Sequence, residues 1–186
     1  MIPAPFRVVL DANVLYPFTL RDTLLRAAAA GLFQVYWSRQ ILEEAQRNLL
    51  AAGVMTQAQA ARLEATMERA FPEAMVTGYE ALIPAMPNDE KDRHVVAAAV
   101  KSGAQVIVTS NLADFSELPE GVEAQSPDDF LCNLFDLDHD GMTELVRRQA
   151  AALQRPPRSF DEVVTALAKM VPEFAAYLRR HAALTR

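Results

Sequence analysis

Hydrophobic and polar positions along the chain follow two rhythms. Phe6-Arg7-Val8-Val9-Leu10 is a short apolar, β-branched run that stops at Asp11, the pattern of a buried strand delivering a side chain to a sheet edge. Residues 22–31, rich in Ala and Leu, close on Gly31 and predict a helix; Phe33-Gln34-Val35-Tyr36-Trp37 then predicts a second strand. Ser38 can cap a helix in which Ile41, Ala45, Leu49 and Leu50 recur at helical spacing. A further amphipathic helix is expected from Thr56 to Ala70, ended by Pro72. Residues 76–89 show no sustained period and read as a loop holding at most one short strand. Residues 91–102 form a compact Ala/Val-rich helix closed by Gly103, followed by a β-branched strand over Gln105-Val106-Ile107-Val108-Thr109. A last strand is expected near Val122-Glu123-Ala124, and Ser126-Pro127-Asp128-Asp129 has the proline and acids that open a helix.

Alternating strands and helices of this length predict a mostly parallel sheet covered by helices. From Asp140 onward only helical signals remain, broken at Arg155-Pro156-Pro157-Arg158 and restarted at the capping sequence Ser159-Phe160-Asp161-Glu162. Phe160, Val163, Val164, Leu167, Phe174 and Leu178 form an apolar face that needs a partner. The expected organisation is one α/β domain over residues 1–135 with a helical C-terminal extension, residues 136–186, packed on it.

Composition narrows the class. A chain of 186 residues, 51% hydrophobic and 23% charged with few glycines, suits one globular core. The single Cys132 cannot form an intrachain disulfide, and paired-cysteine zinc spacing is absent, so a cytoplasmic location is expected. Residues 1–11 lack a leader pattern, and no segment approaches the roughly 20 apolar residues of a membrane span; the chain is expected to be neither secreted nor embedded. A net charge of −6 argues against gripping nucleic acid by bulk charge. Yet residues 147–186 hold eight Lys/Arg against three Asp/Glu, a net +5 that leaves −11 on the rest. That asymmetry fits a basic arm beside an acidic site, and equally fits ordinary solvated helix faces.

The acids fall where an open α/β sheet places its ligands, beyond the carboxyl ends of strands. Asp11 ends the first strand, Asp92 opens a helix, Asn111 and Asp114 follow the strand through Val108, and Glu43 or Glu44 lies early in the helix after the second strand. Carboxylates gathered at one edge repel unless a proton or a cation intervenes. A hard divalent ion, Mg²⁺ or Mn²⁺, suits two or three Asp/Glu carboxylates and an Asn carbonyl, and the chemistry it implies is phosphodiester hydrolysis. Each residue also has a purely structural reading. Asp11 could form a turn, Asp92 complement a helix dipole, Asp89 cap that helix, and Thr109-Ser110-Asn111 form a side-chain-bonded turn. Glu43 and Glu44 could be a solvated face paired with Arg47. His94, His139 and His181 are isolated in sequence and carry no expected ligand or base role; Tyr36 and Trp37 read as core.

Taken together, four ordered motifs resemble the PIN-domain ribonucleases, most closely the VapC group of bacterial toxin–antitoxin pairs. They are Val8-Val9-Leu10-Asp11-Ala12-Asn13-Val14-Leu15, Ser38-Arg39-Gln40-Ile41-Leu42-Glu43-Glu44, Asp89-Glu90-Lys91-Asp92-Arg93-His94-Val95-Val96-Ala97-Ala98-Ala99, and Val108-Thr109-Ser110-Asn111-Leu112-Ala113-Asp114-Phe115. The resemblance covers roughly residues 6–135 and implies a PIN-like three-layer fold. By it Asp11 matches the first metal-binding acid, Asn13 the small polar residue beside it, Glu44 the helix glutamate, with Glu43 in reserve, and Asp92 the third acid. Asp89 would stand behind Asp92. Many relatives have an acid where this chain has Asn111, a departure that leaves Asp114 to supply the charge and puts a second metal site in question.

The resemblance implies an endoribonuclease in which Asp11, Asp92 and Asp114 hold Mg²⁺ or Mn²⁺ and Glu44 binds metal or orients water. Water would attack in line, leaving 5′-phosphate and 3′-hydroxyl ends. Thr109 or Ser110 would bond a ligand or substrate, and Arg93 and the basic C-terminal helices would contact RNA phosphates. An antitoxin protein and a homodimeric state are implied with it. Two rivals stand beside this reading. A phosphohydrolase using Asp11 as nucleophile would carry a second Asp where this chain has Asn13; a non-catalytic PIN-like module would bind RNA or protein without cutting.

Overall fold

The computed structural model describes residues 6–185; Met1–Pro5, where the search for a leader began, and Arg186 of the basic tail lie outside them. Five strands form one sheet in the order β3-β2-β1-β4-β5, with every pairing parallel. They are β1 (Arg7–Leu10), β2 (Gln34–Ser38), β3 (Met75–Val76), β4 (Val106–Val108) and β5 (Glu123–Gln125). Central β1 pairs Val8 with Val35 on one side and with Val106 on the other. A strand flanked and covered in this way cannot alternate apolar with polar, and Val8, Val9 and Leu10 are all fully buried.

Helices α1 (Ala12–Leu15), α3 (Arg39–Ala51), α4 (Gln57–Ala70) and α5 (Arg93–Ser102) share a compact unit with the sheet, formed by the chain up to Tyr16 and by Phe33–Gln125. Helix α5 packs against β1, β2 and β4, and its Val95-Val96-Ala97-Ala98-Ala99 run is buried all round. It ends at Gly103, whose φ of 67° is the left-handed turn that favours glycine.

The second compact unit joins Pro17–Leu32 to the chain from Ser126 onward. It is helical: α2 (Phe18–Ala29), α6 (Pro127–Leu137), α7 (His139–Ala152), α8 (Phe160–Leu167) and α9 (Pro172–Leu184). The apolar face read from the sequence finds its partners here, with Val163, Val164, Leu167, Phe174 and Leu178 fully buried. The Ser159/Glu162 capping box forms as its residue types require. Asp128 of α6 accepts from the backbone N–H groups of Glu173 (3.1 Å) and Phe174 (2.9 Å), satisfying donors that the start of α9 leaves without helical partners. Buried Gln149 accepts from Thr23 Oγ1 (2.8 Å) and donates to the Thr19 carbonyl (3.0 Å).

The fold is the expected α/β architecture with a C-terminal helical region, and the mostly parallel sheet is wholly parallel. Local differences have local causes. A one-turn helix, α1, follows Asp11 at once because the Asp11 side chain caps it. Helix α2 begins at Phe18, a turn before the Ala-rich stretch that announces it. The helix expected from Lys91 opens instead with a 3₁₀ turn, Glu90–Asp92, and turns α-helical at Arg93.

Candidate active site

The chain passes from β1 to one neighbour, β2, and later returns to the other, β4, so the sheet has a topological switch point at the carboxyl ends of β1 and β4. Asp11 stands there. Its backbone N–H donates to the Val108 carbonyl at 3.1 Å, and the residue is only 4% exposed. Its Oδ1 accepts from the Ala12 N–H (2.7 Å), and its Oδ2 accepts from Thr109 Oγ1 and Asn13 Nδ2, both at 2.8 Å. Thr109 Oγ1 in turn accepts from Asn13 Nδ2 (3.0 Å) and from the Asn111 N–H (3.1 Å), while Asn13 Oδ1 accepts from the Ser110 N–H at 2.9 Å. The loops after β1 and β4 are thus tied through one carboxylate. Burial pushes the Asp11 carboxyl up to about 6, and the nearby charge of Glu44 adds to this; the bonds from Thr109, Ala12 and Asn13 pull the other way.

Asp92 is buried and makes no capping bond to α5, while Asp89 caps the 3₁₀ turn before it, Asp89 Oδ1 accepting from the Lys91 N–H at 3.2 Å. Asp92 is pushed up to about 7, first by burial, then by its hydrogen bond with Asp114 and the charge of Asp11. Asp114 moves oppositely. The Lys91 ammonium, 2.6 Å from Asp114 Oδ2 and 4.0 Å from Asp92 Oδ2, holds Asp114 below the usual carboxylate range. Asn111 Nδ2 donates to the same Asp114 oxygen, and the Asp89 N–H donates to the Asp114 carbonyl at 3.3 Å.

The choice between Glu43 and Glu44 has a geometric basis. Glu44 Oε2 lies 3.5 Å from His94 Nε2, and its charge is felt at Asp11. Glu43 is exposed and lines a surface depression with Arg39, Gln40 and Arg47. His94 is therefore not isolated: it is 3% exposed, burial lowers its pKa, and its Nδ1 has no hydrogen-bond partner among the described residues. In the helical unit His139 and His181 also meet, with ring centroids 5.7 Å apart and His181 Nε2 2.7 Å from Asp140 Oδ1. Arg93 donates through its Nε to the Asn88 carbonyl at 3.2 Å.

Asp11, Asn13, Glu44, Asp92, Thr109, Asn111 and Asp114 are thus linked by bonds or by mutual charge; Ser110 and Asp89 join through backbone N–H groups. Sequence reasoning passed over Lys91 and His94. Both sit beside Asp92 in the same motif, and proximity to a candidate acid was the available signal.

Among the described residues, no three His, Cys, Asp or Glu side chains converge as a ready metal cage. The donor chemistry nonetheless fits a hard divalent cation. Asp11 and Asp92 are oxygen donors whose pKa values are raised by burial and by neighbouring carboxylate charge, that of Glu44 on Asp11 and that of Asp11 on Asp92, and the Lys91 ammonium is bonded to Asp114.

Residues 7–113 match the family described as PIN domain, and residues 127–180 match the family described as VapC50 C-terminal domain. The chain is also similar to "Putative ribonuclease VapC50" of Mycobacterium tuberculosis (strain ATCC 25618 / H37Rv), 42% identical over 110 residues. That alignment spans 58% of this chain and 65% of the relative, just under two thirds of its length. No solved structure matches the chain.

Proposed function

The chain belongs to the PIN-domain family, and on that premise we propose that it is a Mg²⁺- or Mn²⁺-dependent endoribonuclease, the toxin of a toxin–antitoxin pair. The observation that carries this reading is the pair of buried carboxylates, Asp11 and Asp92, whose pKa values burial raises while the nearby Lys91 ammonium bonds to Asp114 instead. Asp11, Asp92 and Asp114 would hold the ion. Bound there, it would polarise an RNA phosphodiester and make water a better nucleophile. Thr109 and Asn13 fix the Asp11 carboxylate in one orientation, and Glu44, whose charge is felt at Asp11, would accept a proton from water or bind the ion. The loop over Ser110 and Asn111 is exposed and available to substrate, whereas Asp89 and Arg93 brace the turn that carries Asp92.

The reading extends to the products, 5′-phosphate and 3′-hydroxyl ends, and to the partners: RNA, a neutralising antitoxin and a second copy of the chain. The name of the relative supports ribonuclease action. A cytoplasmic setting is proposed with it; among the described residues, no helix is long and apolar enough to cross a membrane.

The test is to incubate purified protein with structured and single-stranded RNA in Mg²⁺, Mn²⁺ or chelator, comparing wild type with Asp11→Ala and Asp92→Ala. Cleavage that needs metal and is lost in both variants is expected. RNA bound but left intact under every metal would replace this reading with a non-catalytic PIN-like module.

A further inference from the structure

Lys91 is 66% exposed at its side chain, yet its ammonium is paired with a site carboxylate. The Asp89 carboxylate fixes its backbone N–H in the turn before α5, and the side chain crosses to Asp114 Oδ2 at 2.6 Å while staying 4.0 Å from Asp92 Oδ2. The same Asp114 oxygen accepts from Asn111 Nδ2, so this oxygen already has two donors. Asn111 itself brings no charge.

We infer that Lys91 is a resident cation of the site, holding Asp114 Oδ2 where a second divalent ion would otherwise bind and leaving the other Asp114 oxygen to the first ion, so that the chain takes up one divalent ion and not two. The inference rests on the metal-nuclease reading above. Its logic is charge balance. Asp11, Glu44, Asp92 and Asp114, when ionised, carry four negative charges, which the Lys91 ammonium reduces to three. One divalent ion leaves a single negative charge, and a second would make the cluster positive, an arrangement opposed by repulsion between cations a few ångströms apart. Without the ammonium, four charges accommodate two divalent ions.

The experiment is a calorimetric titration of RNA-free protein with Mn²⁺, checked by electron paramagnetic resonance of the unbound ion. Wild type is expected to bind one Mn²⁺ per chain, Lys91→Met two, and Lys91→Arg, which keeps the charge, one. Lys91→Gln serves as a second neutral variant, and fluorescence of Trp37 in the sheet checks that each variant is folded. Equal stoichiometry in wild type and both neutral variants would overturn the role of Lys91 while leaving the metal site intact. Failure of wild type to bind Mn²⁺ at all would overturn the metal-nuclease reading, and this inference with it.

Discussion

If Asp11 is strained by burial, the metal-free protein should lose stability as pH rises through the carboxylate range. The unperturbed pKa is 3.8 and the folded value about 6, so between these limits the folded chain keeps a proton that the unfolded chain has released. Stability then falls with increasing pH, and the full loss, present above the folded pKa, is about 3 kcal/mol for a shift of roughly two units. Between about pH 4.5 and pH 7.5 the change amounts to about 2 kcal/mol, since part of the loss has accrued at the acid end. Buried His94 works in the opposite direction, because its lowered pKa makes the unfolded chain the stronger proton binder near pH 6. The measurement must therefore be a difference. Asp11→Asn removes the Asp11 titration together with its push on Asp92, which acts in the same direction, and leaves that of His94, while the bonds disturbed by the amide cost the same at every pH. Urea unfolding in chelator, followed by Trp37, the chain's single tryptophan and fully buried, reports on the sheet unit. Wild-type minus Asp11→Asn stability should fall by about 2 kcal/mol over that interval, or about 4–8 °C in midpoint by heat. Saturating Mg²⁺ should stabilise wild type and not the variant. A difference that is flat or rises with pH would show that Asp11 is not held in an unfavourable charged state, and the argument for a cation at this position would fail.

Three further outcomes follow from the geometry. Glu44→Gln should lower RNA cleavage by about 10²-fold or more, in the range for loss of a positioned acid–base group, while Glu43→Gln stays within about twofold; parallel cleavage assays separate them. Thr109→Val deletes the hydroxyl that bonds Asp11 and receives Asn13 and Asn111 inside a buried site, and should cost about 1–3 kcal/mol in urea unfolding followed by Trp37. In the helical unit, Asp128→Ala frees the N–H groups of Glu173 and Phe174 and should cost about 1–3 kcal/mol, seen as faster amide exchange in the first turn of α9 with little change in α3.

How much of this was legible in the chain depends on the range of the interaction that decides it. Strand β1 was readable because burial on both faces writes a continuous Val-Val-Leu run, and Gly103 because a left-handed turn favours one residue type. Ser38 and Ser159 were readable as caps because the donors they satisfy lie three residues away. The short α1 was harder: Asp11 was weighed as a strand-end ligand, and its Oδ1 also caps the helix that follows, so one side chain serves both readings. Periodicity also shows that a helix has an apolar face without showing what covers it. Helix α2, read as part of the first β-α-β unit, clusters with α6 to α9 instead.

At the site, spacing supplied the acids, whereas the groups that set their charge states were missed because those states depend on side-chain distance. Lys91 and Asp114 are 23 positions apart in sequence and 2.6 Å apart in space; Glu44 and His94 are 50 apart and 3.5 Å apart. Neither pairing leaves a periodic trace. The sheet makes both possible, because a parallel order with β1 between β2 and β4 brings the segments after three separate strands to one edge. Asp11 and Asp92 can remain there with raised pKa values because the packed α5 and the Thr109–Asn13 bonds fix them against the relaxation that exposed side chains would undergo. An exposed pair of carboxylates would turn apart into water; these are held in place, which is the condition under which a bound cation gains most.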